Sequence, residues 1–381
     1  MHLLYVIPGL DRSGGAEQAV AAMAAPLIAR GVRFEVVTLT GRDDLAGVIE
    51  RAGGTVVDLG AGPLRRHTAA LHGLIRERRP DLVHTSLFDA DVPGRLAARW
   101  AGVPVVSSLV NVAYGPEQRA NPALRPWKIE AARRVDQVTA RLPRRFHALS
   151  SHVATVMGRR LSIPAGRIDV IPRGRDASAL VPPTPQQRAL TRQQLGVADD
   201  ELLVIAAARH EYQKGLDVLV RAWPRVRAAE PRARLVLAGR AGNDSARIGG
   251  LVADVIAAPV ADIADIGSRD DVAALMGAAD AYVVPSRWEG LGSVLIEAMA
   301  LGAPVVASDV GPIPEVVGGG WARLAPPGDA DALADAVVEV LRQSPAERAR
   351  RGDLARARFD SRFTLDRVAD ATVAFYERAL T

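Results

Sequence analysis

Apolar residues recur along this chain in two rhythms. Short runs dense in Val, Ile, Leu and Ala fall at Leu3–Ile7, Arg33–Leu39, Thr55–Asp58, Asp81–His84, Pro104–Ser108, Arg145–Leu149 and Ile168–Ile171, and each predicts a strand. Between them, apolar positions three to four apart predict helices at Ala16–Ala29, at Arg65–Arg79 ahead of Pro80, and at about Asp91–Trp100. Continuous apolar strands between amphipathic helices are the pattern of a parallel sheet covered on both faces. From Pro172 to Arg188 the periodicity stops, and Pro172, Gly174, Pro182, Pro183 and Pro185 mark a linker. The alternation then restarts, with strands at Leu202–Ala207, Arg234–Ala238, Ile263–Ile266, Ala281–Val284 and Pro304–Ala307, and helices at Lys214–Ala229, Asp271–Met276 and Gly292–Leu301.

The expected architecture is α/β, with doubly wound domains at 1–172 and 189–360 joined by a linker at 173–188. A length of 381 residues suits two such cores. Domains of this kind bind ligands at the carboxyl ends of their strands, so the expected site is a cleft that both sheets face.

Composition narrows the chemistry. Cysteine is absent, which excludes disulfides, thiolate nucleophiles and Cys-ligated metals. No unbroken apolar stretch is long enough for a membrane span, and Leu3–Ile7 opens a strand rather than a signal peptide, so the expected location is cytoplasmic. The net charge is +5, yet most arginines alternate with acids on predicted helices, the pattern of a solvated surface. One stretch differs. Arg119, Arg125, Lys128, Arg133, Arg134, Arg141, Arg144 and Arg145 face only Glu130 and Asp136, which suits peripheral contact with acidic headgroups at the inner membrane face or with a phosphorylated acceptor. Aromatic platforms for nucleic acid are lacking, and no nucleic-acid partner is expected.

Three segments carry candidate chemistry. In Pro285-Ser286-Arg287-Trp288-Glu289-Gly290-Leu291-Gly292-Ser293-Val294, glycines follow a strand and open a helix, whose free N–H groups and positive dipole end suit a diphosphate. Glu289 precedes that helix and Glu297 lies within it, roughly 12 Å along the axis at the helical rise. One carboxylate then reaches sugar hydroxyls and the other ribose hydroxyls. Arg209 and Lys214 follow the first strand of the second domain, where both could converge on that diphosphate and stabilise a leaving group. Lys214 is one of only two lysines, beside Lys128, in an arginine-rich chain. Third, Pro8-Gly9-Leu10-Asp11-Arg12-Ser13-Gly14-Gly15 is a glycine-rich strand-to-helix turn without the P-loop Gly-Lys-Ser/Thr.

With these elements in this order, the chain resembles glycosyltransferase family 4, retaining enzymes of the GT-B fold with two Rossmann-like domains. The resemblance covers nearly the whole chain and also rests on Gly94-Arg95-Leu96-Ala97-Ala98-Arg99, on Gly267-Ser268-Arg269-Asp270-Asp271 and on Ala300-Leu301-Gly302-Ala303-Pro304. It implies an NDP-sugar donor of the UDP or GDP type, held as a substrate, with no cofactor and no obligatory metal. The acceptor is a glycan, a lipid-linked sugar or a small molecule, bound by the N-terminal domain. The implied roles are catalytic for Glu289, Arg209 and Lys214. Donor binding falls to Gly14, Gly15, Ile266, Ser268, Gly290, Leu291, Gly292, Ser293, Val294 and Glu297. His84, Asn111 and Arg173 are implied on the acceptor or sugar side. The final segment, 361–381, is expected to return to the N-terminal domain. Two departures stand out: Asn111 where the family commonly carries a histidine, and Pro172-Arg173-Gly174 where Pro-Asn-Gly is frequent. Asp89-Ala90-Asp91 and Asp329-Ala330-Asp331 spell a metal-binding Asp-x-Asp, but both are read as helix caps, with Asp91 and Asp329 entering their helices. Two other readings stay open: a sugar-nucleotide 2-epimerase of the same architecture, and an inactive sugar-nucleotide-binding subunit.

Overall fold

The computed structural model describes all residues except 13, 42, 120–124 and 257–261, and only the backbone of 117, 119 and 256. Ser13 of the glycine-rich turn and the Arg119 side chain thus lie outside the described residues. The chain divides into two compact units, Met1–Arg175 with Phe363–Thr381, and Asp176–Arg362.

In the first unit seven parallel strands are ordered β3-β2-β1-β4-β5-β6-β7. They are β1 His2–Val6, β2 Arg33–Thr38, β3 Thr55–Asp58, β4 Leu82–Ser86, β5 Val105–Leu109, β6 Arg145–Ala148 and β7 Ile168–Val170. Helix α1, Gly15–Ala29, covers one face with the C-terminal helix Leu365–Leu380, and Val20, Ala24, Leu27, Val368 and Phe375 bury their side chains there. The second unit orders six parallel strands β10-β9-β8-β11-β12-β13. They are β8 Leu202–Ala207, β9 Ala233–Ala238, β10 Ile263–Asp265, β11 Ala281–Val284, β12 Val305–Ser308 and β13 Arg323–Ala325. Its core gathers Val204, Leu216, Trp223, Leu235, Val283 and Val337.

In both sheets the chain builds outward from one central strand and then crosses to its other side. The reversal lies between β1 and β4 in the first unit and between β8 and β11 in the second. At such a point the loops leave neighbouring strands in opposite directions and open a crevice at the carboxyl edge.

Three local readings are corrected. β4 runs on through Thr85 and Ser86, because the buried polar groups are satisfied inside: Thr85 donates to Asp91 at 2.5 Å and His84 bonds Tyr376 and Ser108. The next helix starts earlier than expected, at Phe88, so Asp91 is not its cap but sits buried one turn in, beside Arg95. Asp329 does cap, accepting from Ala332 N–H. A helix, Pro185–Gln194, begins inside the expected linker and runs past its end, started by a capping box in which Thr184 and Gln187 satisfy each other's backbone N–H groups.

Candidate functional site

At the switch point of the second unit, two loops meet. One follows β8 and runs from Ala208 to Gly215, and the other follows β11 from Pro285 to Gly292. They are stapled along their length: Arg287 N–H donates to the Gln213 carbonyl at 2.8 Å, and Gln213 Nε2 to the Trp288 carbonyl at 2.9 Å. Gly215 has φ +64°, and a Cβ there would run into the Pro285 carbonyl, so the close approach requires glycine on both counts.

The staple brings Lys214 to Glu289. The ammonium donates to Glu289 Oε1 at 2.6 Å, and Ser286 Oγ donates to the same oxygen at 2.8 Å. Glu289 is 7% exposed, so this is a largely desolvated pair at the crevice floor. Sequence reading gave the two residues separate tasks; the fold couples them. Arg209, by contrast, leaves the end of β8 with its side chain 48% exposed and Glu211 at 3.9 Å. It stands at the same crevice without touching Lys214's partner.

A second network, missed from sequence, fixes the loops from behind. Asp217, fully buried at the start of the helix Leu216–Ala229, takes two bonds from Arg287 at 2.7 and 2.8 Å and one from Arg247 at 2.9 Å. Burial alone would raise its carboxyl, but these bonds hold it down to about 2. Arg287 also lies over the Tyr212 ring at 4.1 Å. The only sequence signal was an arginine in the loop with an aspartate two residues beyond Gly215.

Gly292, at φ +74°, starts the helix Ser293–Leu301, with Gly290 and Leu291 buried before it and Ser293 and Val294 half-buried in its first turn. Glu297, further along, lies within electrostatic reach of Tyr282, whose hydroxyl donates to the Ala207 carbonyl at the end of β8. Ile266 and Ser268 stand on the same sheet edge past β10, Ile266 half-buried and Ser268 exposed.

The first unit presents its own switch point. Gly14 precedes α1, and the Glu17 carboxylate folds over it. A Cβ on Gly15 would stand 3.0 Å from the Arg173 guanidinium, so Arg173 lies against the start of α1. Asn111 is exposed and caps its own loop, accepting from Val112 N–H at 2.8 Å. His84 is 2% exposed and sits inside a hydrogen-bonded chain.

That chain has one direction. His147 Nε2 faces the Ile171 carbonyl at 2.7 Å and must donate, so its Nδ1 accepts from Ser108 at 3.1 Å. Ser108 therefore accepts from His84 Nε2 at 2.8 Å, and His84 Nδ1 accepts from the Tyr376 hydroxyl at 2.8 Å. Both rings are neutral: burial holds His84 well below the ordinary histidine value and lowers His147 to about 4. The unfolded chain binds protons on these rings from about pH 6.5 downward, whereas the folded chain does not. Stability of this unit is thus complete above pH 6.5 and falls toward pH 4, by on the order of 3 kcal/mol for His147 alone. Asp91, raised to about 6 by burial, opposes this, because its folded form takes up a proton first as pH falls. With two rings against one carboxyl, the melting midpoint of wild type drops between pH 6.5 and 4.5. His147→Gln, which keeps the donor to Ile171 but cannot titrate, flattens that drop. Parallel melting curves for the two proteins would remove His147 from this role.

Among the described residues no three His, Asp or Glu side chains gather as a metal cluster, and no helix is long and apolar enough to cross a membrane.

Comparison with known proteins places the fold in a family. A family model described as glycosyl transferases group 1 matches residues 187–358, and one described as a glycosyl transferase 4-like domain matches 14–174. A D-inositol 3-phosphate glycosyltransferase of Kineococcus radiotolerans is 31% identical over 413 aligned positions, covering 98% of this chain and 92% of that protein. A GDP-mannose-dependent monoacylated alpha-(1-6)-phosphatidylinositol monomannoside mannosyltransferase of Corynebacterium glutamicum is 31% identical over 203 positions, covering 51% of this chain and 52% of that protein. Among solved structures, Anabaena HepE in complex with UDP and glucose superposes with a TM-score of 0.85 at 23% identity, covering 99% of this chain and 100% of HepE. The chain belongs to the glycosyltransferases with a group 1 C-terminal and a 4-like N-terminal domain, and its fold is GT-B.

Proposed function

We propose that this glycosyltransferase transfers a sugar, with retention of configuration, from a uridine or guanosine diphosphate donor to an acceptor hydroxyl. The observation that carries the reading is the Lys214–Glu289 pair at the β8/β11 crevice, with Glu289 three residues before the glycine that starts a helix. The name of the Corynebacterium relative specifies GDP-mannose, and HepE was crystallised with UDP-glucose, which supports an NDP-sugar here.

The second unit takes the donor, its diphosphate at the start of Ser293–Leu301 and its ribose toward Glu297. Glu289 accepts a hydrogen bond from a sugar hydroxyl and holds the Lys214 ammonium in place. As the bond between the anomeric carbon and the phosphate oxygen breaks, Lys214 and Arg209 stabilise the charge that grows on that oxygen. The acceptor oxygen attacks from the same face, and its proton passes to the departing phosphate. The first unit takes the acceptor, near His84, Asn111 and Arg173.

Two cations and a helix N-terminus neutralise the diphosphate in this scheme, so no divalent metal is required. Against a panel of UDP- and GDP-sugars one donor releases its nucleotide diphosphate, and excess EDTA leaves that rate unchanged. Full loss on chelation, restored by magnesium, would overturn the metal-free reading. Analysis of the sugar product separates transfer from epimerisation.

The helix Pro126–Thr139 supports peripheral contact with an acidic membrane face. Trp127 is 64% exposed, and Arg125, Lys128, Arg134 and Arg141 point to solvent around it. Arg133 and Arg134 are tied to Glu130, and Arg145 to Asp169, which leaves a narrower patch than the sequence suggested.

A further inference from the structure

The first unit contains a cavity of about 70 Å³ between α1, the sheet and the C-terminal helix. Its long wall is apolar: Ala19, Val20, Met23 and Leu27 on one side of α1, Phe34 on β2 and Val368 on the C-terminal helix. The space exists because α1 spends alanines where larger side chains would fill it, and protein interiors rarely tolerate such gaps without a use. At one end stand Tyr5, His84, Ser86, Ser108 and Arg173, at the carboxyl edge of β1, β4 and β5.

His84 and Ser108 are committed to the directional chain that ends on Ile171. Ser86, 1% exposed, lines the cavity with its hydroxyl toward that of Tyr5, which also reaches Ser108. Buried hydroxyls beside a guanidinium, at the end of an apolar slot, make a site that fits an amphiphile.

We propose that this cavity holds the acceptor, and that the acceptor is an alcohol with a compact apolar body. The hydroxyl-bearing end sits at Ser86 and Arg173, and a ring or branched alkyl group fills the slot along α1. By the space one water needs, the slot takes on the order of five or six heavy atoms, too few for a polyprenyl chain. An inositol phosphate, polar on every side, gains nothing from Val20, Met23 and Phe34. The specificity thus departs from the one in the names of the inositol-phosphate relatives. This rests on the reading that the first unit takes the acceptor.

The test uses the full chain with methionine methyl groups labelled by carbon-13. Only five methionines are present and Met23 alone lines the cavity, so its resonance reports occupancy without any turnover. Cyclohexanol is expected to shift Met23; inositol and inorganic phosphate are not. Ala19→Leu fills the slot and is expected to weaken cyclohexanol about tenfold or more, because each buried methylene position counts for that much in an apolar pocket. The same variant raises the KM of cyclohexanol as acceptor while leaving donor hydrolysis and the melting temperature in place. Ser86→Ala, which keeps the slot, weakens cyclohexanol alone. A Met23 resonance unmoved by cyclohexanol, or equal affinity in Ala19→Leu, overturns the proposal. Equal transfer to inositol and cyclohexanol does so too. Donor hydrolysis measured in parallel keeps the transferase reading separately testable.

Discussion

Lys214→Ala lowers turnover by about a hundredfold or more and leaves the affinity for the sugar nucleotide nearly unchanged. Lys214 faces charge that is larger in the transition state than in the bound donor, so its loss falls on the chemical step. Removing one donor of this kind typically costs about 3–4 kcal/mol. Because Lys214 is held by Glu289 at 2.6 Å, its position does not depend on the ligand, and that preorganisation is what makes the contribution large. Lys214→Arg recovers only part of the rate, since the planar fork cannot take the place of a compact ammonium between Glu289 and a phosphate oxygen. Arg209→Ala also lowers turnover, but less, as its exposed side chain must be ordered when the donor binds. Steady-state kcat and KM for each variant are the check. A raised KM with unchanged kcat would place Lys214 in uniform donor binding instead.

Glu289→Ala abolishes detectable transfer with the fold intact. The substitution removes the acceptor for a sugar hydroxyl and also releases Lys214 and the Ser286 hydroxyl, which share one carboxylate oxygen. Glu289→Gln keeps an oxygen for both bonds but loses the charge that fixes the ammonium, so it falls between alanine and wild type. The double variant Lys214→Ala, Glu289→Gln is no worse than the poorer of its two single variants, because the two side chains act as one unit. Circular dichroism and melting check the fold. Turnover within threefold of wild type in Glu289→Ala would remove this residue from catalysis. Additive losses in the double variant would mean that the ion pair is incidental.

The alternation of strand and helix was legible because strands buried on both faces must be apolar throughout, and the helices between them need one apolar stripe. The glycine-led turns were legible for a related reason. Gly215 and Gly292 occupy left-handed backbone that other residues enter at a cost, so they mark sharp turns where segments of the chain come close. The pairing of Lys214 with Glu289 was not legible, since nothing local joins positions 75 residues apart. It follows from strand order: β8 and β11 are neighbours, and the loops after neighbouring strands meet. Asp217 and Arg287 escaped for the same reason. The extension of β4 escaped because Thr85 and Ser86 look like a strand's end until their partners on other elements are known. The helix Pro185–Gln194 is a different case. Its capping box, Thr184 to Gln187, was present in the sequence and was masked by the prolines around it.

If Lys214 answers charge developing on a leaving diphosphate, calorimetric titration of free nucleotide diphosphate and of its sugar nucleotide separates that role from plain donor binding. The free diphosphate carries the charge that the donor only acquires on reacting, so it stands in for the late transition state. Compared with wild type, Lys214→Ala is expected to lose affinity for the diphosphate about tenfold or more beyond any loss for the sugar nucleotide. Equal losses for the two ligands, or none for either, would contradict it.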